Sequence, residues 1–111
     1  MSSREERIGL NEAVFREVNE RIEALAETFQ LRSQPLDLIC ECADASCLKR
    51  ISMTHAEYEQ LRSESHQFAV HPGHVVPDVE DVVERRPGYE IVRKDEGAPK
   101  RIAERTDPRH T

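Results

Sequence analysis

The side chains best equipped for chemistry are three thiols set close together. Cys40, Cys42 and Cys47 are the only cysteines of the chain, and they fall within eight residues, Cys40-Glu41-Cys42-Ala43-Asp44-Ala45-Ser46-Cys47. Thiolates are soft ligands, and a tight cluster of them suits zinc. A closed structural zinc site takes four ligands, so this stretch is one short. The best source of the fourth is His71-Pro72-Gly73-His74. Gly73 is free to take positive φ in a turn, which lets His74 reach back to a neighbouring site. His71 is the rival ligand. The competing reading of the cluster is a set of free core thiols, since Cys-x-Cys-x4-Cys lacks the double Cys-x-x-Cys spacing of a strong zinc motif. An iron–sulfur cluster ordinarily needs four thiolates.

The element presenting the thiols is expected to be a strand. Leu36-Asp37-Leu38-Ile39-Cys40-Glu41-Cys42 partly alternates and follows Pro35. On a strand Cys40 and Cys42 share a face, with Glu41 pointing the other way, and their Cα atoms lie about 6.6 Å apart. Asp44 and Ser46 suit a turn that returns Cys47 to the pair. Arg50-Ile51-Ser52-Met53 reads as the second strand of a hairpin with the metal at its tip.

A long helix precedes the hairpin. Ser3 and Glu6 have capping-box spacing, and from there to about Leu31 the chain has no proline and one glycine, Gly9. Ile8, Phe15, Ile22 and Phe29 take one heptad position, and Asn11, Val18 and Leu25 the other. Glu12, Arg16, Glu17, Glu20, Arg21 and Glu23 are then assigned to solvated faces. The seam packs either on the helix's own domain or on a second copy, as a short coiled coil. Arg32-Ser33-Gln34-Pro35 ends the helix.

Beyond the hairpin, Thr54 and Glu57 form a second capping-box pattern opening a helix to about Ser63, with Tyr58 and Leu61 on its apolar side. Gln67-Phe68-Ala69-Val70 reads as a strand. Pro77 fits the first position of a helix, with Asp78, Glu80 and Asp81 in its first turn and Val79, Val82 and Val83 inward. Pro87-Gly88 breaks the chain, and Tyr89 to Lys94 alternates as a last strand. A helical turn around Ile102 and a frayed tail complete the expectation. The fold class is therefore α+β, divided into an amphipathic helix over 1–33, a zinc-binding α+β domain over 34–97 and a charged tail over 98–111.

The chain has 111 residues, 37% hydrophobic and 34% charged, with no tryptophan. So thin a core makes a metal staple physically useful. The net charge of −6 argues against a general nucleic-acid binder and against anionic membrane surfaces. Met1-Ser-Ser-Arg-Glu-Glu-Arg has no apolar run of a signal peptide, and no segment is long enough to span a membrane. A cytoplasmic setting, where thiols stay reduced, is expected, and an odd cysteine count fits ligation better than disulfides.

Taken together, the motifs resemble a family of small, uncharacterised bacterial proteins. The matching residues are Cys40, Cys42, Cys47, Thr54, Glu57, Tyr58, Phe68, Val70, Pro72, Gly73, His74, Val82 to Arg85, Gly88, Tyr89 and Thr106 to Arg109. The match covers most of the chain after Pro35 and departs slightly at His71 and Pro87. The resemblance implies no activity. It favours His74 over His71, because His74 closes the Pro-Gly-His motif.

The residues thus point to a zinc-stabilised protein-interaction or regulatory module held by Cys40, Cys42, Cys47 and His74, with a protein partner or a second copy on the N-terminal helix. A thiol redox sensor built on Cys40, Cys42 and Cys47 is the alternative. A zinc-dependent enzyme is the third option, weakened by the absence of a Gly-rich phosphate loop, a nucleophile elbow or a His-Glu-x-x-His helix.

Overall fold

A computed structural model describes residues 3–109. The elements run α1 (Arg4–Thr28), β1 (Leu36–Ile39), β2 (Arg50–Met53), α2 (His55–Arg62), β3 (Gln67–Val70), β4 (Glu80–Arg86), β5 (Tyr89–Lys94) and α3 (Ala98–Arg105). The fold is α+β. The hydroxyl of Ser3 accepts from the Glu6 N–H, and Thr54 with Glu57 makes a complete capping box, which fixes where both helices begin.

β1 and β2 pair antiparallel, from Leu36 opposite Met53 to Ile39 opposite Arg50. The second sheet is antiparallel in the order β3-β5-β4. A bridge joins the two: the N–H of Glu41, just past β1, donates to the Ala69 carbonyl on β3 at 2.8 Å. The core has two parts. Leu36, Leu38, Ile51, Met53, Tyr58 and Leu61 belong to one, covered by Ile22 and Ala26 of α1. Cys40, Cys42, Phe68, Val70, Val92 and Ala103 form the other, so the thiols lie within a hydrophobic cluster.

The helix expected at Pro77 is instead a strand. Val82 and Glu84 of β4 face Val92 and Ile91 of β5, with a bulge between them, and Arg86 pairs with Tyr89. That leaves Pro87-Gly88 as a two-residue turn, with Gly88 at φ +89°. Proline at the first central position and a positive-φ glycine at the second are the requirements of a type II turn. The turn brings β4 onto β5, and this hairpin pairing overrides the helix-start pattern at Pro77.

The inward face of α1 also differs from the expected seam. Ile8 is buried, Phe15 and Ile22 are half-buried, and Val18, Leu25 and Phe29 face solvent. Asn11 donates to the Ala43 carbonyl at 2.9 Å and does not sit in a helix pair. The buried stripe is Glu12, Arg16, Asn19 and Glu23. These are residues assigned from the sequence to solvated faces or, for Asn19, to no role. Each finds a partner from a distant element. Arg16 donates to the Ser65 and Ala103 carbonyls at 2.6 and 2.8 Å and stacks 4.7 Å from the Phe68 ring centroid. Glu12 lies 2.5 Å from the Lys94 ammonium, which also contacts Glu80 at 2.8 Å.

The tail is ordered further than expected. Pro99 opens α3, whose Ile102 and Ala103 are buried. α3 approaches α1 at Gly9, where an added Cβ would stand 2.5 Å from Ile102 Cγ2, so only glycine permits this packing. Arg109 then clamps α1 to α2, bonding Glu20 at 2.7 Å, Glu23 at 3.0 Å and Glu59 at 2.8 Å. Residues 110 and 111, part of the expected frayed tail, lie outside the described residues.

The Glu12 cluster makes a prediction about pH. Burial, and then the nearby Glu80 carboxylate, push the Glu12 carboxyl well above its ordinary 4.5. The folded state therefore holds a proton that the unfolded chain has released. The stabilisation from that proton is complete below about pH 4.5 and is lost as pH rises toward the folded value. Glu12→Gln keeps a neutral polar group there and removes the titration. Urea melts at a series of pH values should show the variant gaining on the wild type as pH rises. Parallel stability curves for the two proteins would contradict this.

Candidate metal centre

Local chemistry places each thiol. Cys40 continues from β1, and its N–H donates to the Lys49 carbonyl at 3.0 Å, extending the hairpin by one rung. Cys40 and Cys42 are buried, at 1% and 2% exposure. The Asp44 carboxylate accepts from the Ser46 N–H at 2.9 Å and from its hydroxyl at 2.7 Å. The Cys47 N–H closes the same turn onto the Asp44 carbonyl at 3.0 Å. This Asx turn swings Cys47 back to the pair. On the other side, the His74 N–H bonds the His71 carbonyl at 3.0 Å, and Gly73 sits at φ +87°.

The four side chains meet. One sulfur from each of Cys40, Cys42 and Cys47 and a ring nitrogen of His74 all lie within 4.8 Å of one another. His74 Nδ1 is 3.6 Å from Cys40 Sγ and 3.7 Å from Cys47 Sγ. A tetrahedron with metal–sulfur bonds of about 2.3 Å and metal–nitrogen bonds of about 2.0–2.1 Å sets its ligand atoms roughly 3.5–3.8 Å apart. The two His74–sulfur separations fit that figure, and the group, all within 4.8 Å, could hold one metal ion. Among the described residues it is the one such group of His, Cys, Asp and Glu.

His71 has a different place. Its ring lies 5.1 Å from the His74 ring, centroid to centroid, and its backbone N–H donates to Cys40 Sγ at 3.1 Å. Such a donor favours the thiolate form of the sulfur it touches. The sulfurs share protons unequally. The hydrogen bond from Cys40 is the largest influence on Cys42, whose pKa falls to about 5. The same bond, then burial, pushes Cys40 upward. Cys47 is raised by burial, although it is only half-buried.

Glu41 supplies what the sequence did not make plain. Alternation sends its side chain away from the sulfurs, into full burial. There Oε1 accepts from the Ala69 N–H at 3.0 Å, and Oε2 accepts from Asn19 at 2.7 Å and from Arg62. Asn19 also brackets Ile39, donating to its carbonyl and accepting from its N–H, both at 2.9 Å. The backbone on either side of Cys40 is thereby held to α1, β3 and α2 at once. Alternation alone gave no sign of this burial: the side chain between two inward cysteines points to the other face, and it is buried only because Asn19 of α1 and Arg62 of α2 pack there.

Among the described residues no helix is long and apolar enough to cross a membrane. Comparison with protein-family models, with curated proteins and with solved structures gives no match. The resemblance to small bacterial proteins rests on its motifs alone. One of those motifs, Thr106 to Arg109, has a structural role here: the Thr106 hydroxyl accepts from Arg16 at 3.1 Å, and Arg109 forms the helix clamp.

Proposed function

We propose that this chain is a small protein-interaction module, without catalytic activity, whose fold is closed by one structural zinc ion on Cys40, Cys42, Cys47 and His74. The observation that carries the reading is the convergence of three sulfurs and one imidazole within 4.8 Å. Three thiolates favour zinc over hard cations, and a complete four-ligand set leaves no position for an activated water. His71 then serves through its backbone N–H, holding the charge on Cys40 sulfur. Reduced thiols of this kind suit a cytoplasmic setting.

Cobalt substitution tests the site. Loaded in place of zinc, Co2+ should give intense tetrahedral d–d bands together with sulfur-to-metal charge-transfer bands. His74→Ala should alter those bands and weaken metal binding by about 10- to 100-fold, whereas His71→Ala, which keeps its N–H, should change affinity little. A larger loss for His71→Ala would replace the fourth ligand. A weak octahedral spectrum would refute the site.

The half-buried position of Cys47 favours a second reading, a thiol redox sensor. In it, Cys47 thiolate attacks a peroxide oxygen, the O–O bond breaks and hydroxide leaves, giving a sulfenic acid. Cys42 thiolate then displaces hydroxide from that sulfur, forming a disulfide and freeing the metal. Mild peroxide should release the metal together with the loss of two titratable thiols. Retention of metal until the protein unfolds would exclude this reading.

A further inference from the structure

The outward face of α1 carries a stripe that the protein itself leaves uncovered. Leu10, Val14, Val18, Leu25 and Phe29 are 45%, 60%, 39%, 58% and 67% exposed. At 100° per residue these five fall within an arc of about 100°, the width of an ordinary buried helix face. The opposite face of the same helix is polar and buried, so α1 is turned inside out relative to a surface helix. At its C-terminal end the stripe runs into an apolar groove of about 260 Å³, lined by Ile22, Phe29, Leu31, Pro35 and Leu36.

We infer that the occupant of this stripe is a second copy of the chain, packed with its α1 antiparallel to the first. The inference rests on the interaction-module reading and names its partner. Two features of the stripe select that arrangement. Four of the five apolar positions are symmetric about a point near residue 19, and the fifth, Val18, has Arg21 as its image. Reversing the helix about that point sets Leu10 beside Phe29, Val14 beside Leu25 and Val18 beside Arg21. Leu10 of the second copy then meets the mouth of the groove next to Phe29. The charges are also self-complementary. Glu17 and Arg21 lie along the Leu10 edge of the stripe, Arg21 about 20° inside it and Glu17 about 20° outside it, 3.8 Å apart within the chain and both exposed. In an antiparallel pair that edge meets its own copy, so Glu17 lies about one residue from the level of Arg21 of the second copy, within reach of its guanidinium, and Arg21 likewise of its Glu17. In a parallel pair it would meet the opposite flank, where Phe15 and Ile22 are half-buried against their own domain. The contact is isologous and closes on itself, so it stops at two copies.

The expected strength is modest. The stripe is about 29 Å long and one helix wide, roughly 10 Å, which falls short of a standard obligate interface. The dimer should therefore be weak, forming at high protein concentration and dissolving on dilution.

Sedimentation equilibrium of the metal-loaded chain, with zinc content measured on every sample, tests this. The wild type should show a monomer–dimer equilibrium. Leu25→Glu should be monomeric, folded and still metal-loaded. Glu17→Arg should weaken the dimer by about tenfold, since each of two symmetric pairs becomes repulsive. Glu17→Arg combined with Arg21→Glu should restore it. A wild type that stays monomeric at several hundred micromolar (on the order of 10⁻⁴ M) overturns the inference. So does a dimer that survives Leu25→Glu, or a double reversal that fails to restore pairing. A monomer that keeps its zinc overturns the dimer alone, whereas a wild type without zinc overturns the metal reading alone.

Discussion

Stripping zinc with a strong chelator under reducing conditions is expected to abolish cooperative unfolding, and Cys42→Ser to do nearly the same. Structural zinc sites of this kind contribute about 10–16 kcal/mol of apparent binding free energy at neutral pH. A domain of this size has only about 5–15 kcal/mol of total stability. Here the metal would lie against Phe68, Val70 and Val92, and would tie the β1–β2 hairpin to the turn after β3. Without it, three sulfurs compete for protons inside an apolar cluster. The loss should appear as disappearance of the thermal transition and of near-ultraviolet circular dichroism. His74→Ala should be milder, lowering the transition without removing it, because water can take the place of a half-buried imidazole. A melting temperature unchanged by chelation would contradict a structural role for the metal.

Glu41→Ala is expected to cost about 3–5 kcal/mol, the penalty for leaving a buried charge without its partner. The Arg62 side chain is 2% exposed and pairs with a carboxylate that is fully buried. Removal of Glu41 also orphans the Ala69 N–H and one bond of Asn19. Glu41→Gln should fall between the variant and the wild type, since it keeps the shape and one acceptor. Joint replacement of Glu41 and Arg62 by Leu and Met should recover much of the loss, because the charge and its partner leave together. Urea unfolding of the four proteins checks this. A Glu41→Ala cost below about 1 kcal/mol would show that water reaches Arg62 and that the pair does not anchor the metal loop.

Local chemistry made several elements legible in advance. Thr54 with Glu57 announced α2, and the spans of β2, β3 and β5 follow apolar runs bounded by turn residues. The convergence of Cys40, Cys42, Cys47 and His74 was legible because three ligands are adjacent in sequence and the fourth sits beside a glycine turn. Where the reading failed, the deciding partner lay outside the segment being read. The Pro77 segment has the acidic start of a helix, yet its fate is decided by pairing with β5 through Pro87-Gly88. The face of α1 was inverted because apolar periodicity was taken to point inward. Burying Glu12, Arg16, Asn19 and Glu23 is affordable only with Lys94, Ser65, Ile39 and Arg109 in place, and nothing local to α1 reveals them. Of α3 only a helical turn around Ile102 was legible, because its docking depends on the missing side chain at Gly9, some ninety residues away, and on only Ile102 and Ala103 as apolar contacts.

The central claim is that one zinc ion closes this fold, and metal analysis of the purified chain tests it most directly. Protein purified under reducing conditions without added metal, then measured by inductively coupled plasma mass spectrometry, should carry one zinc per chain. Cys40→Ser, Cys42→Ser and Cys47→Ser should each carry far less. A folded wild type with no stoichiometric metal, or with zinc retained after loss of any two of these cysteines, would contradict the account.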